Sequence, residues 1–417
     1  MNPSGRFSLK PDANSTEEAR QLRLLGRLVP VTLPGGVPAW AAADLSTSRE
    51  VLGHEHLTKD PAHWPALQDG SVPDDWELIA LVRGASMLHQ GSDDHRRLRR
   101  LVSGAFTRAP IEALRSRITE IAEELLDELE ATHGEPTDIR EAFAFPLPVR
   151  VICEVLGVPH TAISGLRQQF DRLVIPQDSG DPDTDIRIAV TDIYNTLGKL
   201  IAFKRNAPAD DLTAALIEAH DNGDRLSEQE LVETLFLILI AGHETTINAI
   251  TNTVHSLLTH PHALSELLRG DDEAWSRVVD EGLRFSPPIR HVVLRYATAD
   301  VDVAGTRIRK GEAVLAATVA AGRDPQRHER PDEFDIHRST SKEHIAFGYG
   351  AHYCLGARLA KLETEIALRC LFTRFPRLEL AAEPAQLRSI SLQGFTSLSV
   401  HLDGQKAHPA LPTRAKR

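Results

Sequence analysis

The sequence predicts a mainly α-helical protein with small β-sheets, and three stretches carry that expectation. A capping box, Ser227 with Glu230 three residues on, opens a helix that Pro261 must end. At 1.5 Å per residue such a helix is roughly 50 Å long, enough to cross the whole molecule. From Ile111 to Ala131, apolar residues recur at 111, 114, 118, 121, 125 and 129, the spacing of a one-sided helix that ends near Gly134. Between Val292 and Val319 the period changes to two. Val301, Val303, Ile308 and Val314 are separated there by the turn-forming runs Ala304-Gly305-Thr306 and Lys310-Gly311, which predicts sheet.

In chain order, the first thirty residues are polar with scattered charges and are expected to be loosely held, as is the tail from Gly404. Pro34-Gly35-Gly36, between short pairing segments, predicts a small sheet near the N-terminus. No repeat, low-complexity tract or long linker divides the chain, so residues 1–417 are expected to form one domain.

A formal net charge of -12 and a pI of about 5.9 oppose a nucleic-acid footprint, which needs clustered basic surface. Cys153, Cys354 and Cys370 are odd in number and contain no C-x-x-C pair, which argues against a disulfide framework or a zinc-thiolate site and for a reducing cytoplasm. No basic segment followed by an apolar one opens the chain. The longest apolar run, Leu235 to Ala241, is far short of the ~20 residues a bilayer crossing requires. A cytoplasmic monomer with no membrane or nucleic-acid partner is the expectation.

The middle of the long helix, Leu235-Phe-Leu-Ile-Leu-Ile-Ala-Gly-His-Glu-Thr-Thr246, is apolar on all sides and then abruptly polar. Gly242 costs ~1 kcal/mol relative to Ala inside a helix, and its bare backbone admits something bulky. Thr245 can bond the carbonyl four residues back, so the helix is expected to bulge there and hold a water. A core helix with a local kink is the plainer alternative. His243-Glu244 does not open a zinc-protease motif, because the second His of H-E-x-x-H would fall on Ile247.

Near the C-terminus, Phe347-Gly-Tyr-Gly-Ala-His-Tyr-Cys354-Leu-Gly356 leads straight into a helical stretch from Ala357 to Phe375. Gly348, Gly350 and Gly356 let a loop lie close to a flat ligand. Cys354 sits just before a helix N-terminus, whose partial positive charge favours thiolate over thiol. A nucleotide loop does not fit, since Tyr353 stands where G-x-G-x-x-G needs its last glycine. For Cys354 alone, a buried and inert cysteine in a turn is the competing reading.

These residues resemble the haem-binding loop of cytochromes P-450, Phe-Gly-x-Gly-x-His/Arg-x-Cys-x-Gly, at every fixed position. Ala241-Gly242-His243-Glu244-Thr245-Thr246 resembles the same family's oxygen-activating stretch, and Glu281-Gly-Leu-Arg284 its Glu-x-x-Arg pair. The similarity runs from Leu33-Pro-Gly-Gly-Val-Pro-Ala through Asp94-His-Arg-Arg-Leu-Arg99 to Arg323-Asp-Pro, and is nearest to soluble actinomycete members. It implies the P-450 fold, with haem b between the long central helix and the cysteine loop, and Cys354 as its axial ligand. It points His95, Arg99, Arg295 and His352 at the haem propionates, and it makes Glu244 and Thr245 the acid and alcohol of proton delivery. Glu281 and Arg284 become structural, in a network normally completed by an Arg in a Pro-x-Arg-Phe segment. This chain has Pro331-Asp-Glu-Phe334 there, which leaves Arg338 or another arginine to complete it.

A thiolate donates electron density to iron and favours O–O cleavage, so the expected reaction consumes dioxygen. With the four cysteines of a ferredoxin absent and no flavin motif left, electrons are expected from a ferredoxin and its NAD(P)H-dependent reductase. Arg96, Arg97, Arg100, Arg358 and Lys361 could form a basic docking face for such a partner. Leu237, Ile240 and Ala241 should look into the distal pocket, and resemblance adds Val292, Val293, Phe395, Met87 and Leu88. That lining predicts a hydrophobic substrate such as a steroid, macrolide or other polycyclic compound, hydroxylated or epoxidised. Two other readings are a reductant-free haem-thiolate peroxygenase or isomerase, and a non-enzymatic haem sensor.

Overall fold

The computed structural model describes residues 5–404 except 85, 132–135, 160–164, 167–168, 170–181, 208, 210 and 222–225; the tail beyond Gly404, expected to fray, lies outside the described residues. Eleven short strands occur among them: β1 Phe7–Ser8, β2 Leu28–Thr32, β3 Pro38–Ala42, β4 Leu57–Thr58, β5 Thr137–Asp138, β6 His291–Ala297, β7 Val301–Val303, β8 Thr306–Ile308, β9 Ala313–Ala317, β10 Glu379–Leu380 and β11 Ser399–His401. A six-stranded sheet of order β1-β2-β3-β9-β6-β4 lies apart from a helical core, with β10-β11-β5 and the β7-β8 hairpin as smaller pieces. The prediction of helices with small sheets is met.

The expected N-terminal sheet forms by β2 and β3 pairing antiparallel, Val31 opposite Ala39, about a turn at Pro34–Gly36. Gly35 and Gly36 take φ of 72° and 80° there, which a side chain would oppose. Of the first thirty residues, 5–30 are ordered rather than loosely held, and 1–4 lie outside the described residues. Asn14 caps a helix, Ser15–Leu25, whose Leu22 is fully buried, and its Glu18 is buried against Arg290 at 2.8 Å and His291 at 3.3 Å. These partners lie some 270 residues away in sequence, so polarity alone misled the reading.

The predicted helix from Ile111 to Ala131 is two helices, Arg108–Ala113 and Arg115–Glu130, with Leu114 at the junction. Its apolar face is as read, with Ile118, Ile121, Leu125 and Leu129 all buried. Turn residues Ala304 (φ 49°) and Gly305 (φ 78°) close the β7-β8 hairpin where the sequence placed a turn.

The central helix, Glu228–Thr259, begins with the predicted capping box: Glu230 N–H donates to Ser227 Oγ at 3.1 Å, and Ser227 N–H donates to the Glu230 carboxylate at 2.8 Å. It packs on the helices Pro146–Val155 and Ala357–Arg374. Its length and composition would suffice to cross a membrane, yet most of its apolar stretch is buried inside the protein. The expected bulge is absent: residues 241–246 remain α-helical. Thr245 and Thr246 hydroxyls instead donate to the carbonyls of Ala241 (2.8 Å) and Gly242 (2.9 Å) without opening a turn.

Glu281 and Arg284, on the helix Asp272–Phe285, are wholly buried and paired through two bonds of 2.7 Å. Arg284 also donates to the carbonyls of Gly322, Pro331 and Glu333, so position 333 serves through its backbone and needs no arginine. Arg338 Nε, 3.2 Å from Glu281 Oε1, supplies the missing guanidinium. Asp335 N–H donates to the same oxygen at 2.9 Å. One carboxylate thus ties segment 331–338, just upstream of the cysteine loop, to the helical core. Removing one member of such a buried set would strand the others uncompensated.

Glu363, on the helix Ala357–Arg374, is buried, and its Oε2 has no partner among the described residues. Burial pushes its carboxyl up from 4.5 to about 8. The folded state therefore binds a proton that the unfolded state has lost, and stability falls as pH rises from about 4.5 towards 8. Glu363→Gln should match the parent in thermal unfolding near pH 4.5 and be the more stable of the two at pH 8. A variant less stable at both pH values would contradict the protonated assignment.

Candidate active site

The cysteine loop is shaped by three backbone bonds. Gly348 N–H donates to Ile345 O at 2.8 Å, Tyr353 N–H to Gly350 O at 3.0 Å, and Cys354 N–H back to Phe347 O at 2.8 Å. Gly348 and Gly350 adopt φ of 72° and 74°, and a Cβ on Gly350 would crowd Leu52 O at 3.1 Å, so both positions require glycine. Beside Gly356, by contrast, there is open space within 4 Å of where a Cβ would stand. Cys354 is the exposed one of the three cysteines; Cys153 and Cys370 are buried, with thiols pushed up to about 12 by burial.

The Cys354 thiol can be reached by solvent yet is surrounded by protein, as at the floor of an opening. Burial raises its pKa, while the Gly356 N–H and the Arg99 charge pull the other way.

The four propionate candidates converge. The His95 and His352 rings lie 3.9 Å apart, and Arg99 and Arg295 bear on both. Two further residues that the sequence reading missed complete the group. Lys59 is buried and donates to Val293 O at 2.7 Å, and His89 is buried on Ser86 with Nε2 unpartnered. Burial and neighbouring cations push His95 and His89 down to about 4, and burial with Arg295 pushes Lys59 down to about 7. Burial takes Arg295 down to about 10, and its Nε also lacks a partner. Among the described residues, none of the six forms an ion pair with a carboxylate. Six basic side chains around one place, with orphaned donors, fit a group that brings its own negative charge.

On the central helix, Ala241 is exposed and Leu237, Ile240, Gly242 and Thr245 are half-buried, between the fully buried Leu239, His243, Thr246 and Ile247. An open stripe in the middle of a core helix marks a chamber wall. A Cβ on Gly242 would meet Ile152 at 3.4 Å, an ordinary van der Waals contact. Glu244 is buried against Arg140, whose Nη2 lies 2.9 Å from Oε1, and Asn248 Nδ2 donates to the same oxygen at 3.2 Å. Arg140 Nη1 closes the triangle on Asn248 Oδ1 at 3.0 Å. Sequence reading missed Arg140; a lone arginine before the apolar run from 142 to 149 was its one signal.

Other pocket candidates scatter. Val292 packs with Leu45, Leu52, Ala316, Ala321 and Ile345, whereas Val293 belongs to the cluster of the large sheet, so the two do not share a wall. Met87 packs with the helical core, and Leu88 is half-buried beside it. Phe395 lies against His255 with the rings tilted at 47°, ten residues or about 15 Å along the central helix from Thr245. Of the proposed basic face, Arg97 is held by Glu230, Arg96 by Asp93 and Lys361 by Asp280, while Arg100 and Arg358 are exposed.

The family model described as Cytochrome P450 matches residues 186–391. The 2-hydroxy-5-methyl-1-naphthoate 7-hydroxylase of Streptomyces carzinostaticus is 38% identical over 415 residues, covering 96% of this chain and 98% of its own. This chain belongs to the cytochrome P450 family. Mycinamicin IV hydroxylase/epoxidase of Micromonospora griseorubida is 37% identical, covering 91% of this P450 and 95% of its own length. The structure of CYP154C4 from Streptomyces superposes with a TM-score of 0.89 at 38% identity, covering 95% and 98% of the two chains. The chain therefore has the P450 fold and is an oxidoreductase of a family of haem-thiolate enzymes. The open Cys354 thiol and the uncompensated cations fit haem, a dianion with a metal at its centre.

Single alanine variants of His95, Arg99, Arg295 and His352 should each lose haem faster to apomyoglobin, with a weakening of about 1–3 kcal/mol and the axial ligand unchanged. Parental loss rates in all four would mean that the cation cluster serves another ligand.

Proposed function

We propose that this P450 inserts one atom of dioxygen into a hydrophobic organic molecule of the natural-product kind, hydroxylating or epoxidising it. Its electrons come from a ferredoxin and an NAD(P)H-dependent ferredoxin reductase. The observation that carries the reading is the coincidence of an open thiol, Cys354, with a cluster of bases, buried at Lys59, His89, His95 and Arg295 and half-buried at Arg99 and His352, that has no carboxylate partner among the described residues. The relatives' names, a naphthoate hydroxylase and a mycinamicin hydroxylase/epoxidase, support a polycyclic or macrolide-like substrate. The apolar stripe of Leu237, Ile240 and Ala241 suits one.

Haem would supply the iron that activates dioxygen; the Cys354 thiolate would hold that iron, and His95, Arg99, Arg295 and His352 would hold the propionates. The remaining tasks fall to side chains. Thr245 donates its hydroxyl proton to Ala241 O, so its oxygen faces the chamber as an acceptor and can hold a protonated group in place. Glu244 lies one residue earlier, where a carboxyl can carry a proton inward without opening the chamber to bulk water. Arg140 and Asn248 both engage Oε1, while Oε2 is unpartnered among the described residues, so that oxygen is the one available for proton transfer. The exposed Arg100 and Arg358 offer an acidic ferredoxin two cations to dock against.

Product and hydrogen peroxide per NAD(P)H, measured with a ferredoxin system and a substrate found by Soret titration, test this division of labour. Thr245→Ala should keep consuming reductant but divert much of it to peroxide. Glu244→Gln should slow turnover itself by roughly 100-fold, since an amide cannot relay a proton. Parental coupling in the first and parental turnover in the second would exclude the relay.

A further inference from the structure

Lys59 follows β4 in the large sheet and is buried without a carboxylate partner among the described residues. Burying an ammonium is costly unless an anion or a full set of acceptors meets it, and this one has a single recorded acceptor, Val293 O at 2.7 Å. That carbonyl is free because β6 slips its register against β9 between Val292 and Arg295, which takes the residues between them out of the ladder. One acceptor leaves two of the three ammonium hydrogens unaccounted for.

The charges around Lys59 make its position worse. Arg295 stands close enough to disfavour its protonation, and Lys59 in turn bears on His89 and on His352 of the cysteine loop. The groups facing it from β6, from the segment 86–89 and from the loop are all basic. Substituting a hydrophobic residue would relieve this structure, so a lysine here makes sense only if an anion arrives among these bases.

We propose that Lys59 is a further binding residue for the carboxylate edge of the cofactor, beyond the four bases read from the sequence. This rests on the haem-thiolate reading above. The bond to Val293 aims the ammonium from the side of the sheet, and the same strand carries Arg295 two residues on, so strand and cofactor are held by one bridge. Lys59 is thereby a positioning residue that couples the slipped segment of β6 to haem retention.

Two holoprotein variants separate charge from scaffold. Lys59→Gln keeps a donor for Val293 O and removes the charge, whereas Lys59→Arg keeps both. The readouts are the rate of haem transfer to apomyoglobin and the iron reduction potential. The Gln variant should release haem about tenfold faster and show a lower potential, because a cation beside the cofactor favours the reduced, less positive iron. The Arg variant should stay within about twofold of the parent. Parental release and potential in Lys59→Gln would overturn the proposal and leave Lys59 as an anchor for the strand. Faster release with an unchanged potential would overturn it too, since a packing defect would do the same. A parent that binds haem without a thiolate signature would remove the underlying reading instead, and that outcome is visible in the parent's spectrum before any variant is made.

Discussion

Buried basic groups need an anion or a full set of acceptors, and at the edge of the cysteine loop the described residues supply no carboxylate. Lys59, His89, His95, Arg99, Arg295 and His352 come from five separate stretches of chain, and no carboxylate among the described residues pairs with any of them. Elsewhere the fold is careful about such balance. Glu18 meets Arg290, Glu281 meets Arg284 and Arg338, and Glu244 meets Arg140. This uncompensated cluster is therefore informative: Lys59, Arg99 and Arg295, brought together at the cost of mutual repulsion, suit a ligand that reverses it.

The rest of the architecture keeps that place in register with the thiol. Arg284 reaches three carbonyls and Glu281 a backbone N–H in the segment before the loop, so the loop's approach is fixed by a polar network inside the apolar core. The loop itself needs left-handed glycines at 348 and 350 to turn Cys354 outward. The central helix contributes its open stripe because flanking residues are packed on all other sides. Its hydroxyls bond to its own carbonyls, so Thr245 presents an acceptor without any break in the helix.

What could be read in the sequence was local. Cys354, its glycines and His352 fall within ten residues, the capping box within four, and the apolar periods within one helix or strand, so spacing alone located them. What could not be read was long-range pairing. Arg140 meets Glu244 across about a hundred residues, and Lys59 meets the Val293 carbonyl across more than two hundred, whereas Arg338, named from the sequence as a candidate, does reach back to Glu281. The N-terminal helix was misjudged for the same reason, although Asn14 with Glu17 three residues on was a capping signal in plain sight.

Every role assigned to the site depends on a bond between Cys354 Sγ and iron. The most direct measurement is the absorption of the reduced, carbon-monoxide-bound protein, in which a thiolate ligand moves the Soret band to the red position from which the family takes its name. The parent should show that band, and so should Cys153→Ala and Cys370→Ala, whose thiols are buried and inert. Cys354→Ser should lose it, because a hydroxyl is a poor substitute for a soft ligand. A Cys354→Ser protein that keeps the red-shifted band would contradict the assignment of the ligand and, with it, the reading of the site.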